Sequence, residues 1–297
     1  MLKGIVSSLI ASSLFGYLYY FSTLLQPLTG EAIFGYRIVL TYPFLLVAIF
    51  LFKQKAIFIQ HIHNIRQQPK LLGIYAITSG LIGFQMWLFL WAPNHGSALS
   101  VSFGYLLLPL VLVAAGHFLF AEPISKIKLI AILFASVGVI SNILLKGGLS
   151  WESIVVSAGY TFYFCLRKHY NIADLSSFCI EMLLLLPICG YFIYQSDFSM
   201  LYQTNPNLVY LLPLLGLISG LALITYILAS AWLPMNLLGL LGYVETILMI
   251  VVAFILGESL DPKSYPLFIS LSLAMLLIVL DGVYSLKVKK YNHNRSS

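Results

Sequence analysis

Charge is what this sequence has least of. Of 297 residues only 9% are Asp, Glu, Lys or Arg, against about 25% in an ordinary soluble chain. Sixteen basic and ten acidic side chains cannot cover a water-soluble body of this size, which argues against a soluble enzyme and a disordered chain. Cysteine is also scarce. Cys165, Cys179 and Cys189 lie in or beside apolar runs without a CxxC pair, so they read as buried thiols and not as a disulfide framework. No HExxH, Walker A or GxSxG pattern occurs. That argues against a zinc hydrolase, an ATP-driven pump acting alone and a serine hydrolase. The six histidines are scattered without metal-ligand spacing, and neither a metal nor another cofactor is expected.

What the chain does have is apolar length: 60% of residues are hydrophobic and the mean hydropathy is +0.96. A bilayer core about 30 Å thick takes roughly 20 apolar residues per helix. Helices are the expected form, because each satisfies its own backbone in lipid. Runs such as Leu106–Leu108 and Leu183–Leu186 lack the alternation of barrel strands. Ten segments qualify, at 4–25, 32–52, 71–92, 98–119, 127–145, 151–166, 175–194, 208–231, 236–256 and 264–285. The first outlasts the roughly 7–15 apolar residues of a cleavable signal, so it is expected to stay as a span. The expected fold class is all-α, a polytopic membrane protein. The longest link, 53–70, reads as a basic strip on the membrane surface.

Charge placement sets an orientation. With the N-terminus inside, thirteen of the sixteen Lys and Arg fall in inner segments, Lys146 and Lys263 fall in outer links, and Arg37 falls within a span. This asymmetry follows the positive-inside rule and places both termini in the cytoplasm. It also explains the net charge of +6 through anionic lipid headgroups, and no nucleic-acid partner is needed.

The two halves resemble each other. Phe118-Leu119-Phe120-Ala121-Glu122 closes span 4 and Phe254-Ile255-Leu256-Gly257-Glu258 closes span 9. Gly104-Tyr105 has a counterpart in Gly242-Tyr243, and Arg37 precedes Pro43 by the same six residues that separate Glu181 from Pro187. Five spans per half is an odd number, so the second copy must insert upside down, an arrangement typical of transporters.

The run Gly83-Phe84-Gln85-Met86-Trp87-Leu88-Phe89-Leu90-Trp91-Ala92, followed by Gly104-Tyr105, Pro109 and the Glu122 closure, resembles RarD-type permeases, EamA-like members of the drug/metabolite transporter superfamily. Gly35-Tyr36-Arg37-Ile38 and the stretch from Ile180-Glu181-Met182 to Pro187 are similar to the same family. The resemblance implies ten transmembrane helices as two inverted five-helix repeats, here 1–146 and 147–297, around a central cavity. It implies transport of a small organic solute across a bacterial inner membrane. One departure is Ser22, where the family pattern has a lysine after the aromatic pair of span 1.

An ionisable group at mid-bilayer costs about 2.5–3.5 kcal/mol on insertion scales, so it should face an aqueous cavity or a partner. Arg37, Glu181 and Glu245 are the three such groups. At 1.5 Å per residue, Arg37 lies about 7.5 Å from the outer face and Glu181 about 9 Å from the inner one. A direct pair between them is therefore disfavoured. Arg37 either snorkels to the headgroups or anchors an anionic or carbonyl group of a solute. Glu245, near the midplane, is the first proton-coupling candidate and Glu181 the second, with neutral structural acids as the alternative. Gln85, Trp87, Trp91, Tyr105 and Tyr243 combine broad faces with polar tips and complete the expected substrate-binding set, although Trp91 also suits an outer aromatic belt. Asp281, Glu122 and Glu258 read as caps or interface groups. Gly216 and Gly220 in span 8, and Gly80, Gly83, Gly239 and Gly242, read as close helix contacts.

The expected mechanism is alternating access by a secondary transporter. Spans 1–4 and 6–9 form the cavity, while spans 5 and 10 support it and are the candidate homodimer contact. A non-transporting scaffold or receptor-like subunit stays open as an alternative. A membrane-embedded enzyme is a further one, but it needs a cluster of catalytic groups that the sequence does not display.

Overall fold

The computed structural model of the chain describes residues 2–196, 198–233 and 235–296, with the side chains of 198–200, 235–236, 239 and 285–296 left undescribed. Gly239 and the expected inner cations Lys287, Lys289, Lys290 and Arg295 lie outside the described residues or side chains.

All regular structure among the described residues is helical. The helices are α1 (Leu2–Phe21), α2 (Gly30–Leu51), α3 (Lys55–Gln67), α4 (Lys70–Trp91), α5 (Ala98–Phe120), α6 (Lys126–Lys146), α7 (Trp151–His169), α8 (Leu175–Gln195), α9 (Phe198–Thr204), α10 (Leu208–Trp232), α11 (Met235–Ile255) and α12 (Tyr265–Ser296). Each of the ten expected apolar segments is occupied by one long helix. Among the described residues, eight helices are long and apolar enough to cross a bilayer. The other two are α7 and α11. Helix α7 is too polar, since Glu152, Ser153, Ser157, Thr161 and Arg167 are all buried on its inner side. The described apolar part of α11, Leu240–Ile255, is shorter than a full span.

Local chemistry sets the helix ends. Thr29, Ser125 and Ser150 accept from the third backbone N–H of α2, α6 and α7, and Asp174 and Ser177 form a reciprocal capping box on α8. Ser97 does not cap α5. Glu258, which follows α11, does so from a distance, accepting from the N–H groups of Ala98 and Leu99 at 2.7 and 2.8 Å. Gly147, at φ +87°, ends α6 in a left-handed turn.

Eight helices form the body. Helix α1 packs on α10 and α11, α2 on α8 and α10, α4 on α7 and α8, and α5 on α7 and α11. Helices α6 and α12 pack chiefly on each other at the side. On α6, Leu133, Val137 and Leu144 are 58%, 62% and 79% exposed, an apolar face that lipid covers in a membrane protein. Gly216 brings α10 against α2, where an added Cβ would stand 2.6 Å from Leu40 Cβ, and Gly220 meets the Phe44 ring in the same way. Gly83 is pressed on Leu185, whereas Gly80 and Gly242 face open space and are not contact points.

The basic link at 53–70 is mostly helix. Helix α3 has no buried residue, yet His61 Nε2 lies 2.8 Å from Asp174 Oδ2 and ties it to the start of α8.

Candidate functional site

The body encloses a cavity of about 290 Å3 lined by residues of α1, α2, α4, α5, α7, α8, α10 and α11. These are the helices of segments 1–4 and 6–9; among the described residues, α6 and α12 contribute nothing to the wall. Its surface is mostly aromatic and aliphatic, with Phe15, Phe89, Phe178 and Met182 among the contributors.

Two charged groups stand on that wall, Arg37 of α2 and Glu245 of α11. Arg37 is buried, 5% exposed, with its guanidinium carbon 5.4 Å from the centre of the Phe89 ring. It does not snorkel to the bundle surface. Its Nε has no hydrogen-bond partner, and among the described residues neither Arg37 nor Glu245 belongs to an ion pair. The hydroxyls of Thr41 and Ser219, also on the wall, are buried without partners. Tyr105 lines the cavity too, and its hydroxyl lies 3.1 Å from that of Tyr160. Buried polar groups are nearly always satisfied, so this set of free donors and acceptors marks a place that water or a solute completes.

The other expected site residues lie elsewhere. Glu181 of α8 is fully buried but does not line the cavity. Tyr163 donates to its Oε2 at 2.8 Å, and Arg167 Nη1 lies 3.7 Å away. Arg167 also donates to the carbonyls of Ile172 and Asp174 and to Ser177 Oγ at 2.7–2.9 Å. These three bonds staple the end of α7 to the start of α8. Gln85 is buried and donates to the Val155 carbonyl at 2.8 Å, joining α4 to α7. Trp87 Nε1 donates to Glu31 Oε1 at 3.2 Å. Trp91 stacks on His95 with ring centres 4.1 Å apart, at the end of α4. Tyr243 lines a separate cavity.

Beside the Arg167 cluster, burial alone would raise the Asp174 carboxyl. Hydrogen bonds from His61 and the Ser177 N–H, with the nearby positive charge of Arg167, outweigh burial and hold it below the ordinary aspartate value.

The sequence reading missed Arg167, which sits at a helix end where cations are routine. Its spacing of four from Tyr163, and the need of Glu181 for a partner, were the available signals. Tyr160, Thr41 and Ser219 carry no such signal, because hydroxyls are common in packed membrane helices.

The chain is similar along nearly its whole length to bacterial transporters. It is 61% identical to an uncharacterized transporter of Haemophilus influenzae, covering 96% of this chain and 95% of that one. It is 58% identical to an uncharacterized transporter of Pasteurella multocida, over 97% and 99%. With the chloramphenicol-sensitive protein RarD of Pseudomonas aeruginosa the identity is 35% over 96% of both chains. No family profile matches the chain, and no solved structure matches it.

Proposed function

This multi-pass membrane protein belongs to the RarD-type transporters, and from that premise we propose that it is a secondary active carrier moving small organic solutes by alternating access. The observation that carries the proposal is the chemistry of the central cavity. It combines one guanidinium and one carboxylate, both free of ion pairs, with orphaned hydroxyls and broad apolar walls. Keeping two ionisable groups in a membrane interior is costly, and a polar solute that meets them offsets that cost. Arg37 receives an anionic or carbonyl group, Glu245 carries the coupling proton, and Tyr105 with the aromatics holds the apolar part. Gln85, Trp87, Trp91 and Glu181 support the helices that carry these groups.

The proposed architecture has ten crossings in two inverted repeats, 1–146 and 147–297, with both termini cytoplasmic. The packing pattern supports it. Exchanging α1, α2, α4, α5 and α6 for α7, α8, α10, α11 and α12 turns the contact of α1 with α10 into that of α7 with α4. It turns α1–α11 into α7–α5 and α2–α10 into α8–α4. The pairs α2–α8, α5–α11 and α6–α12 map onto themselves. Two such halves can rock about the cavity between them.

The test is flux in proteoliposomes holding only this chain, over organic acids, amino acids, purines and chloramphenicol-like compounds. The carrier reading predicts saturable flux of at least one class, driven by a pH gradient, and loss of that drive in Glu245→Gln. Drive that persists in the variant removes Glu245 from coupling, and no flux under any gradient refutes the carrier.

A further inference from the structure

A second hollow of about 450 Å3 lies between α5, α6, α7, α11 and α12. One wall is apolar, with Leu112 and Val113 of α5 facing Leu240 of α11 and Ile278 of α12. Its charges come as two opposite pairs, Lys168 with Glu122 and Lys128 with Asp281. The second pair is loose: the carboxylate of Asp281 is 3.9 Å from Lys128 Nζ and, among the described residues, accepts a hydrogen bond only from Ser125, at 2.7 Å. Asp281 is nonetheless 5% exposed. Tyr243 closes another side at 4% exposure, and its hydroxyl has no hydrogen-bond partner. A buried phenol without a partner and a buried carboxylate with one donor are what a dry packing core avoids.

The two hollows follow one another along the same three helices. On α5, Tyr105 and Leu108 face the central cavity, and Pro109 and Leu112 the second one. On α11, Glu245 faces the first and Tyr243 the second. On α7, Tyr160 faces the first and Lys168 the second, and Phe164, midway between them, is the one described residue lining both. The spacing of four puts these three on one face of the helix, with the Phe164 ring stacked on Tyr160 at 6.0 Å.

We infer that the second hollow is a further solute-binding chamber in series with the central cavity, and that Phe164 is the partition between them. The inference rests on the carrier reading of the central cavity. The chamber takes an amphipathic solute, its apolar body on the Leu112, Val113 and Leu240 wall and its polar head at Tyr243 and Asp281. Its opposite charges sum to zero, so discrimination by charge falls to Arg37 and Glu245. The path opens beyond it at the C-terminal ends of α5 and α7.

The chain carries its own reporter. Cys165 is in the chamber wall and partly exposed, while Cys179 and Cys189 are buried. The experiment uses the full chain in sealed vesicles and a sulfonated, membrane-impermeant maleimide added from either face. Cys165 is expected to label from one face only. In a Cys165→Ser background, Met86→Cys in the central cavity is then expected to label from that same face about tenfold faster once Phe164→Ala opens the partition, the scale set by losing one phenyl contact. Phe164→Trp is expected to slow the labelling, and it reports with opposite sign if Phe164→Ala fails to fold. A Cys165 unreactive from both faces, as when an acyl chain fills the chamber, overturns the inference, as does a Met86→Cys rate indifferent to residue 164. Labelling needs no flux, so a chain that carries no solute fails the proteoliposome test while the chamber and its partition are scored separately.

Discussion

Arg37, Glu245 and Glu181 each present the same problem, a polar group inside an apolar helix, and they meet it in two ways. Arg37 and Glu245 turn into a shared hollow, whereas Glu181 takes a neighbour, Arg167. That each needs a cavity or a partner was readable from the sequence, because so few ionisable residues interrupt the apolar runs, but for Arg37 snorkelling to the headgroups stayed open until its burial was seen. Which of them shared a cavity was not readable, since it depends on how α2, α8 and α11 are rotated. The Arg167–Glu181 pair is buried on both sides, at 9% and 0% side-chain exposure. Removing one member strands the other charge, so Arg167→Ala is expected to destabilise the fold by about 3–5 kcal/mol, read as thermal unfolding in detergent. The double variant Arg167→Ala/Glu181→Gln is expected to lose less than the two single changes together. Strict additivity contradicts a coupled pair.

At the scale of elements, the junction of α3, α7 and α8 is held by a cluster of polar side chains. Its pH response has a definite sign. Asp174 is held below its ordinary value in the folded chain, so its stabilisation is present above the unfolded value of about 3.9 and is lost as pH falls through the lower, folded one. The His61 ring and the Arg167 guanidinium are the groups that face it. The difference in unfolding midpoint between the natural chain and Asp174→Asn is therefore expected to shrink as pH drops from about 5 to 3. A difference constant over that range contradicts the account. The helices themselves were legible, because length and apolarity announce them. Helix α3 read only as a basic strip, because its ties to the bundle, the His61–Asp174 contact and the packing of Phe58, Ile62 and Ile65 near Tyr75 and Ile180, depend on the three-dimensional arrangement. Glu258 was legible as a cap or interface group, yet that it caps α5, an element of the other half, follows only from the three-dimensional arrangement.

For the whole molecule, the weak echoes between halves, such as Gly104-Tyr105 with Gly242-Tyr243, run alongside several helix contacts that exchange when the halves are swapped, α1–α10 with α7–α4 and α2–α10 with α8–α4 among them, while the contacts of α2 with α4 and of α5 with α12 have no counterpart of similar extent. The sequence offered little about which helix touches which, because lipid and a neighbouring helix present the same apolar chemistry to a membrane helix. Leu144 on the outside and Leu90 in the core are indistinguishable as letters. The cavity is the exception to that uniformity, and the account of function depends on it. The most direct measurement is saturable solute flux by the purified chain in proteoliposomes before and after Leu223→Trp, which fills the central hollow from α10 and leaves Arg37 and Glu245 in place. The account predicts that flux falls to the background of empty liposomes while the unfolding midpoint is kept. Undiminished flux through a correctly folded, filled protein would contradict it.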